Sequence, residues 1–245
     1  MASFHPARYD ASMTWTDRLA LFAPLDFAGL TLLILGWIII GWMIDFAPAH
    51  KPSVSNLMAQ YRREWMEQMV TRDPRIFDAQ IIGSLRQGTA FFASTSMLAI
   101  GGTLAMIGNG EKLSGIANDL ILGSDPAFVW EIKLIFVALF LTNAFLKFVW
   151  SNRLFGYKAV LVAAVPNDIT DPRCLPRSQQ AADVGITAAR GFNRGLRSIY
   201  FALAAGAWIA GPIALICATL FTLGVIYRRE FASASRKILM DTSSN

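Results

Sequence analysis

Seven residues, set where apolar stretches meet polar ones, hold the chemistry this chain could do: Arg86, Lys147, Trp150, Arg153, Tyr157, Asn193 and Arg197. Lys147, Trp150 and Arg153 follow at steps of three, so they share a broad face of a helix. Asn193 and Arg197 are four apart and share a face for the same reason. A guanidinium grips phosphate or carboxylate through two parallel N–H bonds, and an ammonium adds a point charge. Tyr157 and Tyr200 supply hydroxyl groups. If the helices converge, the set is an anion site, most simply one for an anionic lipid headgroup. The competing reading is ordinary charge flanking apolar segments.

Other chemistries find little footing. The two cysteines, Cys174 and Cys217, and the two histidines, His5 and His50, are too few and too scattered for a metal site or a bis-histidine haem in the membrane. Ser94-Thr95-Ser96 has no histidine or lysine nearby in sequence to activate a hydroxyl. Asp73, Asp78 and Glu64 could pair, but Asp73 reads as a helix cap and Glu64 as a solvated or ion-paired residue. Gly108-Asn109-Gly110 is a turn ending a helix and not a nucleotide loop. The expectation is a protein that is not an enzyme, with no catalytic residue, metal or cofactor.

The elements that must position these residues are membrane helices. Hydrophobic residues make up 54% of the 245 and charged residues 16%, against about 25% charged in a soluble domain. The apolar residues come in long blocks, whereas a soluble core spreads them at helical or strand spacing. A net charge of +5 then points to lipid headgroups, and no basic-aromatic motif supports nucleic acid.

Four blocks have bilayer length, and the chain reads as a single all-α membrane domain over 1–245. The first, 27–44, runs without charge between Asp26 and Asp45. It is too long for a signal peptide, despite the faint cleavage pattern at Ala47-Pro48-Ala49. The second, about 87–107, carries small and polar residues at four-residue steps, which predicts a central packing helix. The third covers about 128–149. The fourth, about 200–226, holds Gly211-Pro212 at its middle, which predicts a kink.

The connections are helical too. Val54, Leu57, Met58, Tyr61, Trp65 and Met69 mark one face of an amphipathic helix over about 53–71, with Ser53 as its cap. It lies either on the bilayer or on the protein's own helices. Asp73-Pro74 opens the next helix as cap and first residue. The third span continues without proline to Val165, and a helix from about Ser178 leads into the fourth, although Gly191 and Gly195 weaken it. The predicted fold is a four-helix bundle with helical extensions and the amphipathic helix on the cytoplasmic side. Fourteen of the 22 Lys and Arg lie in the first and third connections, so the positive-inside rule places these in the cytoplasm and both termini outside. Arg228, Arg229, Arg236 and Lys237 count against that placement.

Several stretches resemble the domain of unknown function 599 family, multi-pass membrane proteins of bacteria and plants. They are Tyr61-Arg62-Arg63-Glu64-Trp65-Met66, Phe91-Phe92-Ala93-Ser94-Thr95, Lys147-Phe148-Val149-Trp150-Ser151-Asn152-Arg153 with Tyr157, and Phe192-Asn193-Arg194-Gly195-Leu196-Arg197 leading into Tyr200-Phe201-Ala202-Leu203-Ala204. Arg229-Glu230-Phe231 also fits. The resemblance covers about 27–235 and implies a fold and a membrane location, here the bacterial inner (plasma) membrane, without a chemistry. The expected role is non-catalytic binding of anionic membrane lipids or of a protein partner, which could be a second copy of the chain. The alternative is a small-solute or ion transporter or channel component.

Overall fold

The computed structural model describes residues 14–108 and 126–241. Arg8, Lys112 and the Asn109-Gly110 part of the predicted turn lie outside them. The described residues form an all-α membrane helical bundle. Its elements in chain order are α1 (Trp15–Leu19), α2 (Pro24–Asp45), α3 (Val54–Met69), α4 (Ile76–Ile107), α5 (Ala127–Ala163), α6 (Cys174–Gly206), a 3₁₀ turn (Ala207–Ala210), α7 (Pro212–Phe231) and α8 (Ala234–Met240). Four of the helices are long and apolar enough to cross a membrane: α2, α4, α5 and the one beginning at Pro212.

α5 and α6 form the spine. α6 runs antiparallel to α5 along its whole length: Ser151 Oγ donates to the Ala188 carbonyl at 2.7 Å, Asn143 Nδ2 to Ser198 Oγ at 2.7 Å, and Phe136 meets Trp208 with ring centres 5.8 Å apart. With 37 residues, α5 is about 55 Å long against a hydrocarbon core of roughly 30 Å. Both helices therefore project beyond the lipid, as the unbroken pattern to Val165 predicts.

The last apolar block corrects the sequence reading. It is not one kinked span. The chain reverses at Gly211, whose φ of +109° and ψ of 171° favour glycine, and Pro212 starts α7 at a position that needs no backbone donor. α7 then runs back along α6, so that Arg229 Nη1 donates to Tyr200 Oη at 2.5 Å and Ala218 and Phe221 lie beside Leu203 and Ala204.

The reversal also determines where α7 ends relative to α1. α1 and the start of α2 sit at the end of the bundle that holds the 3₁₀ turn: Phe22 packs on Trp208, and Trp208 Nε1 donates to Asp26 Oδ1 at 2.6 Å. α7 ends at the opposite end, where Glu230 accepts from Ser55 N at 3.1 Å and Arg236 Nε donates to the Pro52 carbonyl at 2.9 Å. The two described ends of the chain thus lie at opposite ends of the bundle.

α4 is not central. It packs on α5 along one edge, while Phe91 and Leu98 stand exposed on its outer side. The buried edge is Ile82, Thr89, Ser96 and Thr103, every seventh residue, the repeat of two helices crossing at a shallow angle. Their hydroxyls donate to carbonyls one turn back, which keeps them satisfied away from water.

Ser53 caps α3, as its position predicts, accepting from Asn56 N at 3.2 Å while donating to the Ile44 carbonyl at 3.0 Å. α3 lies on the protein: Leu57, Met66 and Met69 are buried, and α6 is its main neighbour. The fourth helix begins at Ile76 and not at Pro74, because Asp73-Pro74 forms a turn that delivers Arg75 to the end of α5. There Arg75 donates to the carbonyls of Val165 at 2.6 Å and Pro166 at 2.8 Å. α6 starts at Cys174 and passes unbroken through Gly191 and Gly195.

Candidate functional site

The end of the bundle that carries α3, α8 and the helix extensions is the basic end. The fourteen cations of the two long connections sit there, and the hairpin brings Arg228, Arg229, Arg236 and Lys237 to the same place. Among the described residues, only Arg18 and Lys133 lie toward the other end.

The predicted site residues fall into separate groups. Lys147 and Arg197 line one groove between α2, α5 and α6, of about 320 Å³. Trp150, Arg153 and Tyr157 form an outer strip on α5: Arg153 lies over both rings and its Nε donates to Tyr157 Oη at 2.5 Å. Asn193 faces away, toward α3, and donates to Ser55 Oγ at 3.2 Å. Arg86, on α4, does not line the groove. Its carbonyl accepts from Asn152 Nδ2 at 3.1 Å, and its side chain lines a second depression, about 400 Å³, with Arg75 and Asn167.

The groove brings two of the predicted cations together against apolar walls. α2 supplies Trp37, Ile38, Gly41 and Trp42, followed by Phe46; α5 supplies Asn143 and Lys147; α6 supplies Arg194 and Arg197. Asp45, at the end of α2, organises the floor. Its Oδ2 accepts from Arg194 Nε at 2.8 Å and its Oδ1 from Arg197 Nη2 at 3.1 Å. Arg197 is only 6% exposed, so its charge is largely taken up by Asp45. Lys147 is half-buried and has no ion-pair partner among the described residues. One carboxylate against three cations leaves the groove positive. Trp42 (64% exposed) and Phe46 (69%) line its open side, and tryptophan is a side chain suited to a membrane interface.

Sequence reasoning missed Asp45, Arg194, Asn143 and the two tryptophans of α2. Asp45 and Trp42 were visible as the end of an apolar block next to an aromatic. Nothing local linked them to Arg194, 149 residues away.

The match to known families falls on this same architecture. The family model described as a protein of unknown function, DUF599, covers residues 28–235. The chain belongs to that family. The matched DUF599 stretch takes in most of α2, all of α3 through α7 and every residue of the groove. No curated protein and no solved structure matches the chain.

Proposed function

We propose that this DUF599 protein is a non-catalytic integral membrane protein whose basic end faces the cytoplasm and binds anionic lipid headgroups in the groove between α2, α5 and α6. The observation that carries the reading is Lys147: a half-buried ammonium without an ionic partner among the described residues, beside Arg194, in a groove walled by Trp37 and Trp42. A lipid phosphate would sit on Lys147 and Arg194, with its acyl chains along the tryptophans. The depth is right, because the groove lies where α2 ends and where α5 and α6 leave the stretch of bilayer length. With α6 crossing beside α5, the chain passes the membrane five times and its C-terminus lies in the cytoplasm. The location is the bacterial inner membrane.

A transporter would be expected to break a helix within the membrane. With Gly211-Pro212 as the turn between antiparallel helices, no observation favours transport.

Native mass spectrometry after mild extraction tests the headgroup reading. The native chain is expected to retain phosphatidylglycerol over phosphatidylcholine. Each cation near an anionic headgroup contributes about 1 kcal/mol, so Lys147→Gln with Arg194→Gln should weaken retention about thirtyfold. Equal retention by native and double-substituted protein would sink the proposal. Gly41→Leu is a second probe. A Cβ there meets nothing within 4 Å, so the side chain should fill the groove without disturbing the fold.

A further inference from the structure

Where α3, α4, α5 and α6 meet, the protein buries an amine and a carboxylate that the groove does not use. Lys158 is 1% exposed and Asp78 is fully buried. One indole joins them. Trp65 Nε1 donates to Asp78 Oδ1 at 2.6 Å, and the Lys158 nitrogen lies 3.5 Å from the centre of the same ring system. Arg72 Nη1 donates to the same Oδ1 at 2.6 Å, and Oδ2 is buried without a hydrogen-bond partner among the described residues. The Lys158 amine has no acceptor within hydrogen-bonding range among the described residues. Groups in that condition are costly to keep charged away from water.

Every neighbouring element contributes to the setting. α3 brings Trp65 and the positive charge of Arg62, α4 brings Asp78, and the turn between them brings Arg72. α6 presents Gly185, where a Cβ would stand 2.8 Å from Lys158 Cδ and 3.0 Å from its nitrogen. The glycine makes room for the lysine stem.

We propose that Lys158, enclosed beside Asp78 and Trp65, is a proton-binding site that governs how firmly the C-terminal half of α3 docks on the bundle. α3 is tied at its N-terminal end, through Ser53 to Ile44 and through Ser55 to Glu230 and Asn193. Its C-terminal half is held by Met66 and Met69 in the apolar core and by Trp65 over the lysine. When this half is docked, Trp65 shuts the amine in. When it lifts, the amine meets water.

Docking and proton binding are therefore linked. Lys158 stands about 13 Å beyond Val149 along α5, outside the crossing stretch. Burial holds its ammonium down to about 7, helped by repulsion from Arg62 and opposed by Asp78. Released, it returns to the ordinary lysine value of about 10.4. Between those values the docked form binds fewer protons. Docking thus weakens as the pH falls from about 10 toward 7 and levels off below 7. From pH 8 to pH 6 the docking equilibrium changes about tenfold.

Amide hydrogen exchange on the full chain in lipid nanodiscs reads this directly. Protection factors, which already remove the intrinsic pH dependence of exchange, are compared for residues 63–69 and, as a reference, 140–148. The native chain is expected to lose about tenfold protection in α3 between pH 8 and pH 6, with the reference unchanged. Lys158→Met should show no such loss. Equal α3 protection at both pH values in the native chain overturns the proposal, as does the same loss in Lys158→Met. Should that variant not fold, the ¹³Cε resonance of Lys158 in the native chain decides: a midpoint near 7 supports the site and one near 10 overturns it.

Discussion

Gly195 and Phe148 show what a single residue decides here. A Cβ on Gly195 would lie 2.7 Å from Phe148 Cε1. That ring is fully buried between Phe92 and Phe192, with ring centres at 5.4 and 5.5 Å, and has nowhere to go. Gly195→Ala should therefore force α5 and α6 apart and lower stability by about 1–3 kcal/mol, read as a lower denaturation midpoint in detergent. Gly191 is the control. Its added Cβ would meet Ser151 Cβ at an ordinary 3.6 Å, so Gly191→Ala should be neutral or stabilise by up to about 1 kcal/mol. In the sequence both glycines simply weaken a helix. Their difference lies in what packs against them, which no local pattern carries. Arg197 teaches the same lesson: its charge and its place beside the membrane were legible, but its partner Asp45 lies 152 residues away.

At the scale of elements, helix type was legible and helix direction was not. The amphipathic face of α3, its Ser53 cap and the long extensions of α4 and α5 all follow from periodicity and caps. The α6–α7 hairpin does not, because a Gly-Pro pair inside an apolar run interrupts a helix in the same way whether the chain bends or reverses. Backbone conformation separates the two. Gly211 occupies a region that side chains with a Cβ strongly avoid. Gly211→Ala should cost about 1–3 kcal/mol even though nothing crowds the site. Gly101→Ala, on the open outer face of α4 with no strained backbone, should not destabilise. A thermal unfolding comparison of the two variants checks this, and equal midpoints would argue against a strained reversal. The role of α4 was misread for a related reason. Its four-residue stripes suggested a central helix, yet the edge that packs repeats every seven.

Across the whole molecule, one added reversal changes the sidedness of the chain. Four crossings leave both termini on one side and strand the cluster Arg228 to Lys237 away from the other cations. The hairpin brings eighteen of the 22 Lys and Arg to one end, and the five crossings proposed above would turn that end toward the cytoplasm, the side on which positive loops lie. Under that proposal the C-terminal arginines lie on the same side as the other cations. The proposed extra crossing would run through a short apolar stretch, from Ile199 near the end of α6 to Ala210 at the end of the 3₁₀ turn, packed against α5, α2 and α7, while the arginines before it meet Asp45. Fusions at the C-terminus should follow. Green fluorescent protein, which matures in the cytoplasm, should fluoresce there, and alkaline phosphatase, which needs the oxidising periplasm, should stay inactive. A fusion after Ala210, cutting the hairpin at its turn, should give the reverse pair of results. An active phosphatase on the full-length C-terminus would mean that α7 ends outside, and with it the cytoplasmic basic end would fall.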